Sequence, residues 1–247
     1  MKTIAAELKK SRRRYDGLVA VGIAVFVLLW CSIGKDTEET RATGYSALLY
    51  AVPVIHSVVM PLGMAVLASR CWDLESKAQN CRILFTIQSR GALFLGKSAV
   101  ALLHLLALTL VEGVGFLLMG KLHGYTEPLD MGQFWWLMVC TLAVNAMLFF
   151  QALLLSIRFD SQVPTLAAGM LASLSGIFAG FMPPVVSYFL PWSYYIPLTA
   201  MTMDWTRQTR VMRYIPREFP LGLLAVCLVL GALSAWAAWQ ALKRKEV

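Results

Sequence analysis

The stretch Gly91-Ala-Leu-Phe-Leu-Gly96-Lys97-Ser98, running on as an apolar segment to Leu118, admits two folds. It matches G-x-x-x-x-G-K-[ST], the loop whose backbone cradles phosphates in nucleotide-binding α/β domains. That reading needs a strand before the loop, a helix after it and a parallel sheet around both. Residues 83–87 imitate the strand and the run to Leu118 imitates the helix, but the remaining chain offers no further strands. Bulky Leu93, Phe94 and Leu95 also suit a helix better than a loop closing on phosphate. The stretch therefore reads as the start of a membrane helix. Lys97 marks its cytoplasmic end, the stem snorkelling toward the interface.

Composition supports this reading along the whole chain. The 247 residues are 58% hydrophobic with a mean hydropathy of +0.64, which excludes an ordinary soluble domain. Six apolar runs occupy about 17–33, 48–68, 93–118, 134–157, 163–190 and 221–241. Each approaches or exceeds the roughly 20 residues that cross a hydrocarbon core about 30 Å thick. Helices are expected, because each closes its own backbone hydrogen bonds. The fold class is all-α: a polytopic bundle of six transmembrane helices forming one domain over 1–247. A signal peptide is not expected at the first run, since no Ala-x-Ala site follows it. The five cysteines have no paired spacing and read as apolar fillers.

The formal charge of +8 sorts along the chain in a way that speaks of orientation. With the N-terminus inside, Lys2, Lys9, Lys10, Arg12, Arg13 and Arg14 are cytoplasmic. So are Arg70, Lys77, Arg82, Arg90, Lys243, Arg244 and Lys245. The last loop, with Arg207, Arg210, Arg213 and Arg217, argues the other way, but the balance favours both termini cytoplasmic. Residues 1–15 carry Ile4, Leu8 and Ser11 on one helical face among basic neighbours, the pattern of an interfacial helix meeting anionic headgroups.

Pro53 and Pro61 flank His56 in the second run and predict a kink or break there. His56 reads as a satisfied interior histidine. In the fifth run Gly169, Ser173, Gly176 and Gly180 form a small-residue stripe that lets another helix approach closely, either within the chain or from a second protomer. Residues 191–219 form an extracytoplasmic segment rich in aromatics and prolines, expected as short helices dipping into the outer leaflet. On one helical face there, Arg207, Arg210, Arg213 and Arg217 would anchor lipid phosphates or recognise an anionic group. Glu112 is a carboxylate well inside a span and must face protein or water. Its candidate partners are Asn145 or another polar group on a neighbouring span, with Gln151 lying too deep, in a transport path or a structural hydrogen bond. Ser173 and Ser175 faintly suggest an intramembrane serine nucleophile, but no histidine is placed to serve as base. Neither a paired-acid site nor a metal signature appears, so catalysis is not expected.

Between the second and third runs, residues 73–97 are too charged for lipid and too patterned for a slack linker. Leu74, Ala78, Cys81 and Phe85 fall at helical spacing while Glu75, Gln79 and Arg82 face elsewhere. This layout resembles the six-span membrane subunit of a type-2 ABC exporter, over nearly the whole chain. The most specific piece is Glu75-Ser-Lys-Ala-Gln-Asn80 with Leu84, Ser89-Arg90 and Gly96-Lys97. It is similar to the segment (here 70–90) by which that family docks onto a separate ATP-binding subunit; where a proline is usual before Ser-Arg, this chain has Gln88. The resemblance implies that Leu74, Ala78 and Phe85 seat an apolar face on the ATPase, with Glu75, Asn80 and Arg82 as polar contacts. It implies a second permease, homo- or heterodimeric, ATP and Mg held by the partner, and no cofactor in this chain. Within the family the chain looks most like the lantibiotic-immunity permeases of bacterial plasma membranes, with Pro191-Trp192 before the last span. Those expel antimicrobial peptides; Glu112, Asn145, Trp192, Arg207 and Arg210 are the candidate path or substrate contacts. Two other classes stay open: a proton-coupled transporter using Glu112, and a non-enzymatic membrane scaffold or sensor.

Overall fold

Long apolar runs fold as helices wherever the backbone meets no water, and this chain follows that rule from end to end. The structure is a computed structural model that describes residues 2–33, 38–76, 85–86, 88–159, 161–179, 182, 184–206 and 211–245. A short helix α1 (Lys2–Arg13) turns at Tyr15, whose φ of 58° is left-handed, into α2 (Asp16–Ser32). The two helices meet at 62°. Then come α3 (Glu38–Ala42), α4 (Gly44–Ser76), α5 (Arg90–Leu122), α6 (Met131–Phe159) and α7 (Gln162–Ala179). A short α8 (Pro184–Tyr188), a 3-10 turn (Pro191–Ser193) and a hairpin of β1 (Met201–Thr206) and β2 (Val211–Pro216) precede α9 (Leu221–Lys243). Five of these helices (α4, α5, α6, α7 and α9) are long and apolar enough to cross a membrane. The 17 residues of α2 complete the six.

Successive spans run in opposite directions, so α1 and the end of α9 share one end of the bundle. The hairpin lies at the other. Large apolar side chains such as Leu110, Val114, Leu171 and Trp236 stay exposed on the flanks, as lipid-facing positions do.

Helix α4 organises the interior, and its prolines explain how. It runs unbroken through Pro53 and Pro61, so the expected break does not occur. Each proline nevertheless removes the N–H that would reach the carbonyl four residues earlier. The carbonyl of Leu49, freed by Pro53, accepts a hydrogen bond from Thr199 Oγ1 at 3.3 Å. The carbonyl of Ser57, freed by Pro61, faces Gly176 of α7 so closely that a Cβ there would overlap it. Ser173 Oγ accepts from the Leu62 backbone N–H at 3.1 Å, and a Cβ on Gly169 would lie 2.5 Å from that of Ala65. The small-residue stripe therefore has an internal partner, the proline-bearing face of α4. Gly180 lies outside the described residues.

The segment after α7 departs from expectation. Where short helices are expected, β1 and β2 pair antiparallel, with Met201 opposite Pro216 and Thr206 opposite Val211. Met201, Met203 and Trp205 alternate with polar residues, a period of two that suits a pleated strand. Arg213 thus lies in β2 opposite Asp204, on a strand and not on the helical face expected for it. Arg207 and Arg210 lie outside the described residues. The stretch before the hairpin is wedged into the bundle: Trp136 Nε1 donates to the Leu198 carbonyl at 2.7 Å, and Ser193, Tyr194 and Tyr195 are buried.

Gly176→Ala is expected to destabilise the protein by about 1–3 kcal/mol, because its methyl group meets backbone that cannot yield. Gly222→Ala, which meets nothing within 4 Å, serves as the control. Thermal unfolding in detergent should lower the midpoint for the first variant only.

Candidate functional site

At the α1 end, three helices bring charged side chains together out of water. Glu7 and Lys10 lie one turn apart on α1, Cys71 and Glu75 one turn apart on α4, and Lys97 in the second turn of α5. The Lys97 ammonium lies 3.2 Å from Glu7 Oε2 and 3.1 Å from Glu75 Oε1, and donates to the Cys71 carbonyl at 2.9 Å. Lys10 bridges the same carboxylates, at 2.7 Å to Glu7 Oε1 and 3.0 Å to Glu75 Oε1. Glu7, Glu75 and Lys97 are each about 95% buried. Two acids and two ammonium groups make the cluster neutral, which is what permits its burial. Gly96 makes room for it: a Cβ there would lie 2.9 Å from Thr3 Cγ2 and 3.3 Å from Glu7 Cγ.

A second tie follows at the elbow. Arg70 donates from Nε to Asp16 Oδ1 at 2.9 Å and from a terminal nitrogen to the Arg14 carbonyl at 2.5 Å. Ser11 Oγ and His104 Nε2 are 3.2 Å apart. Burial opposes the charged form of Glu75, but the Lys97 charge and the Lys10 hydrogen bond outweigh it and hold its carboxyl below the usual value. Burial likewise opposes charge on Lys10, yet its bonds to Glu7 and Glu75 leave that ammonium above the usual range.

This cluster sits at the root of the segment singled out between α4 and α5. Glu75 precedes it in the last turn of α4; Arg90 closes it as the first residue of α5, whose N-cap is Ser89. Arg90 stacks over the Phe85 ring at 4.7 Å and donates to the Lys243 carbonyl at the end of α9. Lys245 donates to the Ile157 carbonyl at 2.8 Å and lies 5.3 Å from the centre of the Trp72 ring. Both stems are thus anchored, one to α1 and the other to α9.

Several expectations change here. Glu75 was expected to face a partner subunit; it is turned inward onto Lys10 and Lys97. Lys97 does not snorkel, because α1 lies over it and supplies Glu7. Gly91 to Ser98 are the first turns of a helix, with no loop for phosphates. On α1, Thr3, Glu7 and Ser11 face the bundle while Ile4 and Leu8 point out, so Ser11 does not share their face. Phe85 is half-buried; α4 includes Leu74 in its backbone; Ala78, Asn80 and Arg82 lie outside the described residues. Glu7 and Lys10 went unnoticed in the sequence, where the signal was only their spacing of three on a helix of opposite charges.

Deeper in the bundle lies a second polar group. His56 Nε2 is 3.1 Å from Glu112 Oε1, with both side chains fully buried, and His56 Nδ1 is 3.5 Å from Thr141 Oγ1. The Tyr195 hydroxyl donates to Asn145 Oδ1 at 2.6 Å, and its ring meets His56 edge-on at 5.3 Å. The partner of Glu112 is therefore His56, and that of Asn145 is Tyr195. Among the described residues nothing bonds Glu112 Oε2 or Asn145 Nδ2. Trp192 belongs elsewhere. It lines a cavity of about 500 Å³ between α4, α6 and α7, with Pro61, Gln151, Gly169 and Ser175. No three His, Cys, Asp or Glu side chains converge on a metal position among the described residues.

A family model described as "ABC-2 family transporter protein" matches residues 3–180, which include α1, both polar clusters' helical residues and the stems of the intervening segment. No curated protein matches the chain.

Lys97→Met should destabilise the protein by roughly 3–5 kcal/mol, since it strands buried carboxylates. The lowered Glu75 carboxyl adds stability above its ordinary value of 4.5 that is lost as pH falls through its folded value. The raised Lys10 adds stability below 10.5 that is lost as pH rises through its folded value. A spin label at position 8 should therefore keep constant mobility between those limits and loosen outside them. At the deeper site, Glu112→Leu removes the acceptor from His56 and should cost about 1–3 kcal/mol. Glu112→Gln, which keeps an acceptor, should cost less in the same unfolding assay.

Proposed function

This chain belongs to the ABC-2 family of transporter proteins, as a multi-pass membrane subunit that works with an ABC ATP-binding subunit, and we propose that it is the permease of an exporter driven through residues 70–90. The observation that carries this reading is the anchoring of both stems of that segment. A push on residues 77–84 reaches α1 and α5 through Glu75 and Lys97, and α9 through Arg90. Partner closure on ATP shifts the permease only if contacts across the joint differ between its states. A neutral, buried cluster is a stiff link for that purpose, because separating any pair exposes an uncompensated charge. On this reading the α1 end is cytoplasmic and ATP and Mg stay in the partner. Arg82, Ala78, Asn80 and Leu74 meet the partner directly, while Glu75 transmits.

The substrate we propose is an amphipathic compound drawn from the membrane. The cavity beside Trp192, Gln151 and Ser175 supports this: it is mainly apolar, with a few polar groups, and borders exposed Leu171. A lantibiotic in a bacterial plasma membrane is the specific candidate, supported by Pro191-Trp192 before the last span. A second permease, a copy or a relative, completes the proposed assembly. One observation favours a different driving force. The unbonded Oε2 of Glu112 beside His56 suits a proton-carrying site; transport that collapses with the proton gradient at constant ATP would select it.

Arg82→Glu should lower co-purification of the ATP-binding subunit about tenfold, the loss of one charged hydrogen bond of roughly 1.5 kcal/mol. Glu75→Gln should keep co-purification while weakening export per ATP hydrolysed. If Arg82→Glu leaves both co-purification and peptide resistance unchanged, the docking assignment fails. Ser175→Trp, which fills the cavity, should block export without disturbing the partner.

A further inference from the structure

The basic residues at the α1 end fall into two sets. Lys10, Arg14, Arg70 and Lys97 are committed to Glu7, Glu75 and Asp16. Lys9, Arg12 and Arg13 point away, are exposed, and make no ion pair with any described residue. These three line one wall of an open groove of about 850 Å³ at the elbow between α1 and α2, with Leu8, Tyr15 and Leu18. The left-handed turn at Tyr15 bends the chain there and leaves the ring 66% exposed beside the cations.

From Leu18, at the lip of the groove, an exposed face runs down α2. Leu18, Gly22, Val25 and Leu29 recur at spacings of four, three and four, which stacks them on one helical face. All four are exposed, and a Cβ on Gly22 would meet nothing within 4 Å. The same kind of small-residue notch on α7 is filled by α4; on α2 it is open. A cationic head thus joins directly onto an apolar track running along a membrane-crossing helix.

We propose that this elbow is a binding site for one anionic phospholipid. Its headgroup phosphate lies among Lys9, Arg12 and Arg13, and an acyl chain lies along Leu18, Gly22, Val25 and Leu29. Charge complementarity selects the occupant: guanidinium forks pair with phosphate oxygens, and a phospholipid joins that anion to an apolar chain in one molecule. A free anion has no use for the track, and an acidic peptide has none for its depth in the membrane. The site rests on α1 lying at the membrane surface. It adds a reason for that helix to be there: the inward cations clamp the bundle while the outward ones hold lipid.

The test is native mass spectrometry of the full chain in mild detergent, titrated with phosphatidylglycerol or phosphatidylcholine. The wild type should retain phosphatidylglycerol preferentially. Lys9→Gln, Arg12→Gln and Arg13→Gln should each cut that retention about fivefold (about 1 kcal/mol per cation) with phosphatidylcholine unchanged. Gly22→Trp, which blocks the track, should lower retention with all three cations intact. None of these residues touches the clamp, so unfolding in lipid-free detergent should not change. Equal retention of both lipids by the wild type overturns the site. Displacement of phosphatidylglycerol by millimolar inorganic phosphate, with Gly22→Trp silent, makes it a free-anion site and overturns it. Loss of a dimer in the cation variants, without loss of lipid, makes it a protomer contact and overturns it too. Failure on any of these counts with partner co-purification and export intact leaves the exporter reading standing.

Discussion

Everything at the α1 end depends on one ammonium group. Lys97 enters the bundle on an otherwise apolar helix, where an unpaired charge costs several kcal/mol. Two carboxylates from two other helices make its burial tolerable, and those carboxylates fix the places of α1 and of the last turn of α4. Lys10 then balances the second negative charge. Remove any member and an uncompensated charge remains, so the four groups act as one fastening. Gly96 is the steric counterpart, since only a residue without a side chain lets α1 come within reach of Lys97.

The other half of the architecture rests on absent hydrogen bonds. Pro53 and Pro61 each leave a carbonyl of α4 without its helical donor. Those two carbonyls face the two elements that distinguish this bundle: the wedge carrying Thr199, and α7 at Gly176. A backbone acceptor in the middle of a membrane protein demands a neighbour, and small residues or hydroxyls are what approach closely enough. His56, the partner of Glu112 on α5, lies between the two prolines of α4, so the wedge, α5 and α6 all converge on that part of the helix.

The long apolar helices and the all-α class were legible in the sequence because each is a property of one stretch: a length, a hydropathy, a period. What failed were the pairings. For Glu112 the sequence offers Asn145 or any polar group on a neighbouring span; register between helices is set by packing, and it is His56 that faces the carboxylate. Lys97 was read as a snorkelling side chain, since the sequence near it supplies no acid; Glu7 is ninety residues away. Glu7 carries no signal of its own in the sequence, because on a charged helix an inward acid and an outward one spell the same pattern. The four arginines near 207–217 fit a helical period by their spacing alone, while the alternation of Met201, Met203 and Trp205 carried the hairpin.

The placement of the two polar groups bears on how such a bundle moves. The charged cluster sits at the root of the segment proposed to meet a partner, and the polar network of His56, Glu112, Thr141, Asn145 and Tyr195 sits about five turns away along α4. The first is strong and fully paired, hence stiff. The second has two side-chain atoms without partners among the described residues, and so has bonding capacity left for a rearranged state. Helix α4 joins them and carries both prolines nearer the second group. On the proposed coupling, a displacement delivered at Glu75 would travel along regular helix toward the two prolines, where the backbone hydrogen-bond ladder is interrupted. That stretch lies beside the wedge and the α7 contact that border the Trp192 cavity, so a shift of α4 there would change the cavity's walls.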